Sequence, residues 1–164
     1  MSTTDFPTDP KIDAIVARFP RLFKGKHPRV WSDLPQGWTE LTGRLFADLD
    51  AMLDDGAAKR FEVIQIKEKF AGLRVYWQLG KEQTLVMDMH SPGAVQRVDE
   101  VPAKPTTLFE RIRDRVKQAG EQADTTCQRC GNGSASAGGS GWITTLCEAC
   151  RRKSLVQPDL PDAP

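Results

Sequence analysis

Cysteine is the residue type in this chain whose spacing speaks most directly of chemistry. All four cysteines lie near the C-terminus as two Cys-x-x-Cys pairs, Cys127/Cys130 and Cys147/Cys150, separated by sixteen residues. Two residues between thiolates let both sulfurs converge on one tetrahedral ion at a Zn–S distance of ~2.3 Å, and this double pairing is a zinc-site pattern. Gly131 directly follows Cys130, where a metal knuckle needs left-handed backbone. No glycine follows Cys150; Arg151-Arg152-Lys153-Ser154-Leu155-Val156 reads as a short helix. The expectation is therefore one structural Zn²⁺ in a treble-clef- or ribbon-like module, with treble clef favoured because its second ligand pair comes from a helix start. Gly141 to Leu146 would be the returning strand, with Trp142 covering the site. Arg129, Arg151, Arg152 and Lys153 would offset the −2 charge of a tetrathiolate zinc centre. Two disulfides or a redox-active dithiol are the competing readings, and nothing points to an oxidising compartment.

Other reactive side chains converge less. The two histidines, His27 and His90, stand in unrelated contexts. Asp88 and His90 share a strand face and are able to bind a metal or move a proton, but a site needs more than two convergent groups. Asp48, Asp50, Asp54 and Asp55 form an acidic helix end that reads as a solvated face, although Asp50 and Asp54 lie on one side of it. There is no HExxH, GxSxG, P-loop or GxGxxG motif. No catalytic residue is assigned.

Two cationic stretches are candidate binding surfaces. Arg18, Arg21, Lys24, Lys26 and Arg29 occur without an intervening acid and alternate with Phe19, Phe23 and Trp31. Cations track phosphates and aromatics stack on bases, so a nucleic-acid contact is conceivable here; the plainer reading docks the aromatics on the core. The second is Lys67-Glu68-Lys69-Phe70-Ala71-Gly72-Leu73-Arg74, where alternating charge marks an exposed strand face and Lys67, Lys69 and Arg74 could read an anionic ligand.

These residues need elements to hold them. Ile12, Ile15, Val16 and Phe19 make a short amphipathic helix ended by Pro20. A longer helix with the stripe Leu41, Leu45, Leu49, Met52 and Leu53 is expected after Thr39 and to stop at Gly56, leaving Asp54 and Asp55 at the unfavourable end of its dipole. Phe61–Lys69 and Leu73–Leu79 read as a hairpin, and Thr84–Met89 and Val95–Val101 as a weaker second strand pair. Thr107 to Glu110 fits a capping box for a helix with the stripe Phe109, Ile112, Val116, Ala119 and Ala123. Gly131 to Gly141 reads as a flexible loop. The fold class is thus α+β, an antiparallel meander of three or four strands packed with helices, plus the cysteine module.

The 164 residues, 39% hydrophobic and 27% charged, suit a globular domain with one small appendage. The division expected is a tail over 1–10, an α+β domain over 11–125, a zinc module over 126–156 and a tail over 157–164. A net charge of +1 argues against a general polyanion binder. No apolar stretch is long enough to span a membrane, and the N-terminus lacks a charged start followed by an apolar run, so no secretion signal is expected.

The run Lys67 to Tyr76, KEKFAGLRVY, followed downstream by Cys-x-x-Cys-Gly and then by GWITTLC ending at Cys147, resembles a family of small uncharacterised proteins of bacteria and their phages. Members share a KEKFG-L-R-Y hairpin, a helix and a four-cysteine tail with a Gly-Trp step; Ala71 stands here where Gly is more usual. The resemblance covers roughly residues 15–150 and implies a cytoplasmic setting and a role in phage–host conflict, but no activity. The combined expectation is a non-enzymatic, zinc-stabilised protein that binds another macromolecule, most plausibly a protein, as inhibitor or adaptor. The alternative is a nucleic-acid or nucleotide binder using Arg18–Arg29 and the zinc module. An enzyme would require a concave pocket around His90 or Asp50.

Overall fold

The computed structural model describes residues 10–26, 28–30, 34–80, 82–83, 107–139, 141 and 143–156. Pro10–Arg18 forms α1, with Ile12 and Ile15 buried, and Pro20 opens a second short helix, α2 (Pro20–Phe23). A 3-10 turn at Gln36–Trp38 leads into α3 (Thr39–Met52), which buries Leu41, Leu45, Phe46 and Leu49. This helix stops before Gly56. Asp54 is instead the N-cap of a further helix, α4 (Asp55–Arg60), its carboxylate accepting the Ala57 N–H at 2.7 Å. The acids therefore sit at the favourable, N-terminal end of a second dipole.

One sheet has the order β1-β2-β3-β4, with β1 at Arg29–Val30, β2 at Phe61–Lys69, β3 at Gly72–Leu79 and β4 at Glu82–Gln83. It is not the antiparallel meander expected. Only β2 and β3 are long, and β1 pairs with β2 in parallel, at Gln65 and Ile66. Two-residue β1 comes from the basic segment between α2 and α3, a long-range pairing that no local pattern announces. The expected strands at 84–89 and 95–101 lie outside the described residues.

The β2–β3 turn places Phe70 at φ 53 and Ala71 at φ 62, between the paired residues Lys69 and Gly72. A two-residue hairpin of this hand favours Asn-Gly, and left-handed backbone costs other residues ~1–2 kcal/mol each. Phe70 is nonetheless 56% exposed at its tip.

The next helix, α5 (Leu108–Thr125), starts with both bonds of the predicted capping box: Glu110 N–H to Thr107 Oγ1 at 3.2 Å and Thr107 N–H to Glu110 Oε2 at 3.0 Å. It lies on the inner sheet face, where Trp77 contacts both Phe61 and Phe109, with ring centroids 5.7 and 4.8 Å away. Arg115 ties α5 to α3 through Asp48 at 2.7 Å. One hydrophobic core results, drawing on α1 to α5, β2 and β3.

The Gly/Ser-rich stretch is not simply a loop. Ala135–Gly138 forms β5, paired antiparallel with β6 (Thr144–Cys147), which runs directly into α6 (Glu148–Val156).

Candidate metal centre

The four sulfurs come from three local structures. Cys127 and Cys130 belong to a tight turn, Cys147 ends β6, and Cys150 sits in the first turn of α6. In the turn, the Gly131 N–H bonds to the Cys127 carbonyl at 2.9 Å, the Cys127 N–H to the Asn132 carbonyl at 2.8 Å, and Gly131 adopts φ 78. This is the knuckle geometry that the glycine forecast. The first cysteine pair thus comes from a turn, and the second from a strand end and the helix start that follows it.

All four Sγ atoms lie within 4.8 Å of one another, and those of Cys130 and Cys147 are 3.6 Å apart. A tetrahedron with metal–sulfur bonds of ~2.3 Å has edges of about 3.8 Å, so the cluster closes on an ion with little movement. No disulfide joins them. Cys127, Cys147 and Cys150 are buried, whereas Cys130 is exposed. The arrangement is able to hold a metal ion, and four protein ligands leave no position open for water or substrate.

The surroundings already favour negative charge at one sulfur. Burial works to raise the Cys127 pKa, but N–H groups of Cys147, Cys130 and Arg129 point at its sulfur and bring it down to about 6. At Cys150 a hydrogen bond with Cys130, burial, and the neighbouring Cys147 and Cys127 push the thiol up to about 12. A divalent ion at the centre would replace the hydrogen bonding and offset the burial that keep Cys150 protonated, releasing protons on binding.

The knuckle is fixed to the main core. The Gly37 N–H donates to the Gln128 carbonyl at 2.8 Å, and the Trp38 indole N–H donates to the Thr126 carbonyl at 2.9 Å. A Cβ on Gly37 would stand 2.0 Å from the Cys127 carbonyl oxygen and 2.5 Å from the Gly131 nitrogen. Gln128 and Thr145 then join knuckle to hairpin, N–H to Thr145 carbonyl at 2.9 Å and Thr145 N–H to Gln128 Oε1 at 3.2 Å. Arg151 braces β5 against β6, donating to the Ser136 carbonyl at 2.7 Å and the Leu146 carbonyl at 3.4 Å. Arg152 pairs with Glu148 at 3.6 Å. Trp142 lies outside the described residues.

The remaining sequence candidates separate clearly. Arg21 caps the end of α3, bonding the Asp50 carboxylate at 3.1 Å and the Asp50 carbonyl at 3.0 Å, and reaches Asp55 at 3.4 Å. Lys24 donates to the Ala58 carbonyl near the end of α4, and Lys26 pairs with Glu62 at 3.6 Å. Arg18 lies 5.0 Å over the Phe19 ring, and Arg29 is in β1. Phe19 and Phe23 are buried in the core. Asp48, Asp50, Asp54 and Asp55 thus serve as ion-pair partners and a helix cap. Among the described residues, the cysteines are the only group of three or more His, Cys, Asp or Glu placed to share an ion. His27, Asp88 and His90 lie outside the described residues.

Lys67, Lys69 and Arg74 do come together on one strand face, Lys67 directly opposite Arg74. Gly37 was not singled out by the sequence, since its role depends on a partner ninety residues away.

The fold and its site define an α+β protein with a four-cysteine cluster able to hold a metal ion. Comparison of the chain with protein-family models, curated proteins and solved structures finds no match to any of them.

Proposed function

We propose that the cysteine cluster holds one Zn²⁺ as scaffolding and that the protein acts by binding another macromolecule, as an inhibitor or adaptor, without catalysing a reaction. Four thiolates in Cys-x-x-Cys pairs suit zinc, and a saturated ligand set gives the ion a structural rather than a reactive role. The observation that carries the binding reading is Phe70. A large aromatic side chain is held 56% exposed in left-handed backbone, a choice that folding alone disfavours and that binding would reward. A protein is the partner favoured. The competing nucleic-acid reading draws on Arg18 to Arg29, where Arg21, Lys24 and Lys26 have partners within the chain.

Affinity capture from native lysate with the wild-type chain and a Phe70→Asn variant tests this, with nuclease digestion in parallel. Asparagine tolerates left-handed backbone, so the variant keeps its fold. The expected result is a protein retained by wild type, lost with the variant and insensitive to nuclease. Retention of nucleic acid, falling steeply as salt rises, or capture indifferent to Phe70 would overturn the reading.

A further inference from the structure

The Lys-Glu-Lys alternation of β2 is sorted by the strand's two-residue period. Lys67 and Lys69 fall on the outer face. Glu68 falls on the other, where its carboxylate accepts the Ala71 N–H at 2.7 Å and closes the turn. Across the hairpin, Lys67 is paired directly with Arg74, and Gln65 with Tyr76. Residues directly opposite in an antiparallel pair share a face, so Lys67, Lys69, Arg74 and Tyr76 are all outward. The Lys67 ammonium lies 4.7 Å from the Tyr76 ring centroid, and that of Lys69 lies 5.3 Å from the Phe70 ring centroid. Glu62, the acid that β2 places on this face, lies toward the opposite end, bonded by Gln78 at 3.0 Å and Lys26 at 3.6 Å.

Two like charges set directly opposite each other weaken a strand pair. Here they stand beside an exposed aromatic tip in a conformation that disfavours it. The geometry points to a docking surface for an acidic protein segment, its carboxylates meeting Lys67, Lys69 and Arg74 and an apolar side chain packing on Phe70. This rests on the reading of the molecule as a binding protein and names the chemistry of its partner. Charge complementarity selects the acid. The rings favour peptide over nucleic acid: an ammonium already covers one face of Tyr76 and one of Phe70, halving the area on which bases could stack, whereas a small apolar side chain needs only the part of Phe70 left exposed.

The test is a selection from a displayed library of random dodecapeptides on the zinc-loaded full chain, followed by affinity measurements on Lys67→Glu, Lys67→Arg and wild type. Lys67→Glu turns the like-charged pair with Arg74 into an opposite-charged one, so its metal content is kept and its Tm does not fall. The expected outcome is enrichment of peptides carrying two or more carboxylates and an apolar residue, bound about tenfold or more weakly by Lys67→Glu and nearly normally by Lys67→Arg. Peptides without acid enrichment, or indifferent to Lys67→Glu, would overturn this surface while leaving a binding role at another. No enriched peptide at all would overturn both. An oligothymidine probe that binds wild type more tightly than any peptide and is lost in Lys67→Glu would replace the acidic segment with nucleic acid.

Discussion

The Thr145 hydroxyl donates a 3.2 Å hydrogen bond to the Ala71 carbonyl, and both residues are buried. One belongs to the strand that delivers Cys147 to the metal centre and the other to the exposed turn of the β2–β3 hairpin. The cysteine cluster and the proposed docking surface are therefore mechanically joined. A buried carbonyl deprived of its donor costs about 1–3 kcal/mol. Thr145→Val, which keeps the shape and removes the donor, should lower unfolding stability by that amount while retaining the metal. The check is denaturant unfolding alongside metal analysis; an unchanged midpoint would show that the bond contributes nothing.

Gly37 offers a sharper test of how the knuckle is seated. A methyl group there meets the backbone of Cys127 and Gly131, and backbone cannot yield as a flexible side chain does. Gly37→Ala should cost about 3 kcal/mol and weaken metal retention against a chelator. Gly43, within α3, has nothing within 4 Å of an added Cβ, so Gly43→Ala should instead stabilise by ~0.5–1 kcal/mol. Thermal melts of the two variants should move in opposite directions.

Acid should release the metal. The Cys127 thiol is depressed from an ordinary 9.0 to about 6 by N–H groups that overcome its burial. In the metal-free protein, the stability this thiolate adds is complete above pH 9.0 and is lost as pH falls through about 6. A bound cation holds the thiolate further down still. Zinc loss followed by a chromogenic chelator should therefore have its midpoint below pH 6; a midpoint above neutrality would contradict the site's electrostatics.

Much of the architecture was legible where cause is local. The capping box at Thr107 and Glu110, the stripe of α5 and the knuckle at Gly131 all follow from neighbours within four residues. The alternation of Leu73, Val75, Trp77 and Leu79 likewise located β3. Long-range effects were not legible. Asp54 read as a misplaced acid because nothing nearby says that α3 ends and α4 begins there, yet it caps α4, and Arg21 caps α3 from α2, 29 residues away in the chain. β5 was hidden because Ala135 to Gly138 has almost no side chain to signal a strand; its pairing is imposed by β6 and by Arg151. The parallel β1 depends on residues more than thirty positions away. At the hairpin, alternating charge did mark a strand face with Lys67, Lys69 and Arg74, and register adds that Lys67 stands directly opposite Arg74.

The most direct measurement is elemental analysis of the purified full chain together with a thiol titration, repeated on Cys130→Ser. The expected result is one zinc per wild-type chain with its thiols protected until chelator is added, and loss of both zinc and the α6 fold in the variant. Absence of bound metal, iron in place of zinc, cysteines oxidised to disulfides in the native protein, or full zinc retention in Cys130→Ser would contradict a zinc-clamped scaffold.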